Sequence, residues 1–166
     1  MTRSISRRTV LRVGASGIVA AAALPGTRAF AQETHEVQML NQDPDNPRNR
    51  QVFVPRIIRV QPGDTVTWLP TDRGHNSAII EGMVPEGGET WEGRINEEVS
   101  VTLNTPGFYG YQCTPHASVG MVGLVIVEGE GMMDNYEAAQ DVRQRGRAAR
   151  AWDEIWEEVA AMDLPA

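Results

Sequence analysis

A thiol, an imidazole and a thioether fall within nine residues, in the run Cys113-Thr114-Pro115-His116-Ala117-Ser118-Val119-Gly120-Met121. Cys113 is the single cysteine of the sequence, so an internal disulfide is excluded. A thiolate and an imidazole make a strong pair of ligands for a transition metal, and a thioether adds a weak, soft axial donor. A second imidazole completes the set. His75, in Asp72-Arg73-Gly74-His75-Asn76-Ser77, is the candidate, approaching from a neighbouring loop. Two imidazoles, a thiolate and a distant methionine are the donors of copper electron-transfer sites. Singly these residues say little, since free cysteine is commonly a small buried hydrophobe and methionine commonly fills core gaps. In combination they explain how an exported chain keeps an unpaired thiol, which metal would hold against oxidation.

Other chemistry fits less well. His35 alternates with Val37 and Met39 and has no second ligand near it in sequence, so it reads as a structural or surface residue. A Cys-His hydrolase normally draws nucleophile and base from distant parts of the sequence, and no third orienting group is evident here. Copper storage or delivery uses the same soft ligands, but such carriers need an open site rich in Met or Cys. The seven methionines do not cluster near the Cys113 run.

The elements that must position these residues read as strands. Short apolar or alternating runs recur at residues 34–40, 56–60, 65–69, 77–80, 99–103, 108–113 and 120–127. Turn chemistry separates them at Pro44 to Pro47, Gln61-Pro62-Gly63-Asp64, Glu86-Gly87-Gly88 and Thr105-Pro106-Gly107. Seven or eight short strands of this kind predict two antiparallel sheets packed as an all-β sandwich, with Trp68 in the middle. After Gly131 the period changes. Asp134 and Glu137 form a capping pattern ahead of a helix over 136–145, and Trp152, Ile155, Trp156 and Val159 mark the apolar face of a second helix. That face is expected to dock on the sandwich and bury both tryptophans.

The first 31 residues read as an export signal and are a separate unit. Ser6-Arg7-Arg8-Thr9-Val10-Leu11 is a twin-arginine pattern, followed by an apolar run from Val13 to Leu24 and the small-residue site Ala29-Phe30-Ala31. The apolar run is shorter than the roughly 20 residues that span a bilayer, so cleavage before Gln32 and no membrane insertion thereafter are expected. Residues 32–130 then form the sandwich and residues 131–166 a helical extension packed on it. Beyond residue 31 lie all 22 acids but only ten of the fifteen basic residues, a net charge of −12, and there is no lysine anywhere. Such a surface repels nucleic acid phosphates and suits a salt-rich habitat.

Pro62-Gly63-Asp64-Thr65-Val66-Thr67, Pro70-Thr71-Asp72, Gly74-His75-Asn76, Pro106-Gly107, and Cys113-Thr114-Pro115-His116 with Gly120-Met121-Val122-Gly123 resemble the pseudoazurins, a cupredoxin family. The resemblance runs over nearly all of the chain beyond the signal, including the paired C-terminal helices. It implies an eight-stranded Greek-key sandwich and a periplasmic blue copper protein that carries single electrons and catalyses no reaction. It implies one copper ion held by His75, Cys113, His116 and Met121. It also implies an Asn76 backbone N–H beside the Cys113 sulfur, and His116 as the electron port, ringed by Pro115, Ala117, Val119, Met83 and Pro85. The partners it implies are transient ones, a copper nitrite reductase or a c-type cytochrome, met by a monomer. The family usually surrounds the port with lysines. Here only arginines, among them Arg48, Arg50, Arg56, Arg59, Arg73 and Arg94, are available for such a rim, and Val119 stands where the family commonly has Met.

Overall fold

Alternation along the strands divides the side chains between two faces, and the computed structural model, which describes residues 32–164, shows where each face goes. Among the described residues eight strands are formed: β1 (Thr34–Gln42), β2 (Arg50–Val54), β3 (Ile57–Val60), β4 (Asp64–Leu69), β5 (Ala78–Ile79), β6 (Val99–Leu103), β7 (Gly107–Gln112) and β8 (Val122–Val127). They make two four-stranded sheets, in the orders β2-β1-β4-β6 and β3-β8-β7-β5. The proposed export signal, residues 1–31, lies outside the described residues.

Both sheets are mixed rather than antiparallel. β1 runs parallel to β4, with Val37 opposite Trp68, and β3 runs parallel to β8, with Ile57 opposite Leu124. Alternation reports which face a residue takes and is blind to strand direction, so the expectation of purely antiparallel sheets had no basis in the pattern. β2 is the strand that went unread. Its sequence, Arg50-Gln51-Val52-Phe53-Val54, is short, begins with an arginine and includes Gln51 at a positive φ of 57°, and only Phe53 is fully buried.

The inter-sheet core holds Val37, Met39, Phe53, Val66, Trp68 and Leu103 from one sheet and Tyr109, Tyr111, Val125 and Val127 from the other. β8 is buried on both faces. Val125 and Val127 face the sheet opposite, while Val122, Leu124 and Ile126 turn outward beneath the C-terminal segment. That outward face is covered by a 3-10 turn (Met132–Asn135) and the helices α1 (Tyr136–Asp141) and α2 (Gly146–Ala160).

Trp152, Ile155 and Val159 of α2 are buried against this face, and Trp156 is half-buried, stacked on Trp152 with ring centroids 5.4 Å apart. α1 stops earlier than the predicted residue 145, because Val142 turns extended (ψ 108°) and its side chain packs toward Gly82. The expected Asp134 cap is not formed either. Asn135 precedes α1 and spends its amide on β7, accepting from Phe108 N–H and donating to Phe108 C=O, each at 2.9 Å. Among the described residues no helix is long and apolar enough to cross a membrane.

Candidate metal centre

Alternation along β7 puts Tyr109 and Tyr111 into the inter-sheet core, and Cys113, two residues on at the strand's exit, continues on the same side with no exposure. The chain then turns. His116 N–H donates to Cys113 C=O (3.0 Å), a single 3-10 turn (Ala117–Val119) follows, and Met121 returns to the start of β8 with its C=O accepting from Cys113 N–H at 3.0 Å. The loop closes at Gly120, whose φ of 99° favours glycine. Cys113 and Met121 are buried and His116 is half-buried.

His75 arrives from the other side of the inter-sheet space, in the loop between β4 and β5, and is fully buried. Its Nδ1 lies 3.7 Å from Cys113 Sγ and 3.1 Å from His116 Nδ1, while His116 Nδ1 lies 3.4 Å from the same sulfur. A cation about 2.0–2.3 Å from each of three such donors would space them roughly 3–4 Å apart, as they are here. The second ring nitrogen of His75, Nε2, sits 3.0 Å from Asn41 Oδ1, an oxygen that can only accept. Nε2 therefore carries the proton and Nδ1 presents a lone pair. Two imidazole nitrogens and a sulfur aimed at one point fit a metal ion. Met121 adds a soft donor to the same buried neighbourhood.

The electrostatics agree. Burial, followed by the neighbouring His116 ring, holds the His75 imidazole below its ordinary range, keeping it neutral and able to ligate, although Asp72 pulls weakly the other way. Burial pushes the Cys113 thiol up, and the backbone N–H groups of Asn76 and His116 draw it part of the way back. An apolar pocket that resists a free thiolate needs a positive charge to stabilise one, and a bound metal supplies it.

Three asparagines position the His75 loop, and one of them joins it to the Cys113 loop. Asn76 Oδ1 accepts from Thr114 N–H at 2.8 Å, and its Nδ2 reaches Gly93 C=O at 2.9 Å and Thr114 Oγ1 at 3.0 Å. Asn96 braces the His75 loop, with its Oδ1 accepting from Gly74 N–H (2.6 Å) and its N–H donating to His75 C=O (2.8 Å). Asn41 is itself fixed by Asp72, whose carboxylate accepts from Asn41 N–H at 2.7 Å. Asn41 and Asn96 carried no signal as positioning residues, and Asn76 was marked only through its backbone N–H, since asparagine in loops is ordinarily a turn former.

The surroundings of His116 differ in part from expectation. Pro115 and Val119 are exposed beside it and Ala117 is half-buried. Met83 and Pro85 are absent from this surface. Met83 is buried under Gly110, and Pro85 packs against Gly107 at the far end of β7 from Cys113. Ile95, 52% exposed, lines a hollow with Pro115 and takes their place. Among the described residues His35 joins no group of three or more possible metal ligands. Its Nε2 is 3.0 Å from a carboxylate oxygen of Asp64, which makes it a structural residue at the start of β1.

Residues 41–128 match the copper binding proteins of the plastocyanin/azurin family. A pseudoazurin from Paracoccus pantotrophus is 40% identical over 86% of this chain and 92% of its own length. The chain belongs to the pseudoazurins. One from Methylorubrum extorquens is 35% identical over 84% of this chain and 90% of its own. A solved Sinorhizobium pseudoazurin superposes with a TM-score of 0.73 at 44% identity, over 78% of this chain and 98% of that one. Membership makes copper the metal that the His75, Cys113 and His116 cluster is suited to hold.

Proposed function

We propose that this pseudoazurin is an exported, soluble carrier of single electrons in which His75, Cys113, His116 and Met121 hold one copper ion. The observation that supports this most directly is the convergence of three donor atoms, all within 4.8 Å of one another, from two loops 38 residues apart. Bound copper supplies a reversible one-electron change between Cu(I) and Cu(II). The chain's part is to keep the donors still. β7 and β8 anchor one loop, Asn76 ties the other to it, Asn96 braces the His75 loop and Asn41 fixes the His75 ring, so little has to rearrange when the charge changes. No substrate bond is made or broken, so the protein is not an enzyme. His116 is the electron port, because it alone of the three donors is less than fully buried.

The full burial of His75 and Cys113 favours retention of the metal over storage and delivery. Export by the twin-arginine route places the carrier in the periplasm as a monomer, meeting a copper nitrite reductase or a c-type cytochrome. The test is the optical spectrum of the purified, copper-loaded protein after oxidation to Cu(II). An intense visible thiolate-to-copper band is expected. A colourless copper protein would overturn this reading, as would a Cys113→Ser variant that kept the band.

A further inference from the structure

A chain of net charge −12 beyond residue 31 gathers half of its ten remaining arginines into one groove. The groove, of about 660 Å³, runs between β2 and α2 and is lined by Arg48, Arg50, Arg56, Arg147 and Arg150. Its two acids are already engaged. Asp43 accepts from Asp45 and Asn46 N–H within its own loop, and Glu154 is paired with Arg56 at 3.0 Å. Among the described residues, Arg48, Arg50, Arg147 and Arg150 have no carboxylate within 4.0 Å, and all four are exposed.

The groove ends on the metal loop. Val119 and Gly120 form part of its wall, and a Cβ at Gly120 would sit 3.4 Å from the Arg147 carbonyl oxygen, so α2 lies directly against that loop. Guanidinium groups recognise carboxylates bidentately, and a concave cluster of one sign focuses its field even on a molecule of opposite overall charge. With a screening length of about 8 Å at physiological ionic strength, an approaching protein responds to this groove more than to distant acids.

We propose that the redox partner docks by seating an acidic segment in the β2–α2 arginine groove, which places its own redox centre over His116, Pro115 and Val119. This rests on the carrier reading above, and it makes the C-terminal helix part of the recognition surface as well as a cover for β8. The contact is one-sided, running from the metal loop onto α2.

The test is the ionic-strength dependence of oxidation of the Cu(I) protein by hexacyanoferrate(III), a small anionic acceptor. Despite the net negative charge, the rate should fall as salt rises. Arg147→Glu/Arg150→Glu should slow the reaction about tenfold at low salt and reverse the slope. Arg143→Glu, on an arginine outside the groove, should leave the sign unchanged. Hexaglutamate should compete with hexacyanoferrate(III), and in the diamagnetic Cu(I) protein it should shift the NMR signals of the Arg147 and Arg150 side chains first. A wild-type rate that rises with salt overturns the proposal. So does a double variant that behaves like wild type, or hexaglutamate that neither competes nor shifts those signals. Loss of the visible band in the wild-type protein would instead strike at the carrier reading, with which these outcomes are not confused.

Discussion

His75 depends on Asn41 for its ring orientation. With Nε2 held 3.0 Å from the Asn41 amide oxygen, the proton stays on that side and Nδ1 remains free for the metal. Asn41→Leu leaves the ring free to turn and change tautomer. Copper affinity should fall roughly 10–100-fold, the usual cost of losing such support, as read by competition with a chelator. Met121→Gln should keep copper bound but lower the reduction potential in voltammetry, because an oxygen donor is harder than a thioether and favours Cu(II). The two residues also differ in how legible they were. Met121, Cys113 and His116 share one short run and His75 completes a known donor set, so residue type and spacing were enough to propose all four, and the structure gathers His75, Cys113 and His116 at one point. Asn41 acts on a ring 34 positions away, and Asn76 on Thr114 at a separation of 38. Nothing in a linear pattern links an asparagine to such a partner.

At the scale of the element, strands and helices were readable where one face is apolar and the other is not. β4, β6 and β7 stand close to their predicted bounds, and α2 buries the Trp152, Ile155 and Val159 stripe that its period marks. Three features escaped for physical reasons. Strand direction leaves no trace in alternation, β2 buries a single phenylalanine, and α1 ends early on a tertiary contact of Val142 with the Gly82 turn. The docking of α2 also sets its energetic role. Trp152 is 2% exposed beneath the outward face of β8, so Trp152→Ala should destabilise the protein by about 3–5 kcal/mol in urea unfolding. The visible band of the folded fraction should persist, because Trp152 packs in the cluster on the helix side of β8 while Cys113 and Met121 belong to the inter-sheet core.

For the whole molecule, acid stability turns on Asp64, a carboxylate 4% exposed in a chain whose other acids are mostly at the surface. It closes the sandwich at the start of β1 by accepting from Glu33 N–H at 2.9 Å and Gln61 N–H at 2.8 Å, with the His35 ring at 3.0 Å. Burial alone would raise its pKa, but these donors outweigh burial and hold it below the ordinary range. A carboxylate depressed in the folded state adds stability above its unfolded pKa of about 3.9 and loses it as pH falls toward the folded value. Urea unfolding free energies should therefore be insensitive to this group from pH 7 to 5 and decline below about pH 4. Asp64→Asn carries no charge to titrate, and its amide NH2 cannot accept from the second backbone donor. At pH 7 it should be less stable than wild type by about 1–3 kcal/mol for the stranded N–H. Its stability should then change less between pH 5 and pH 3, so that the two curves converge in acid. Parallel curves over that interval would mean that Asp64 is not the group through which acid opens the sandwich.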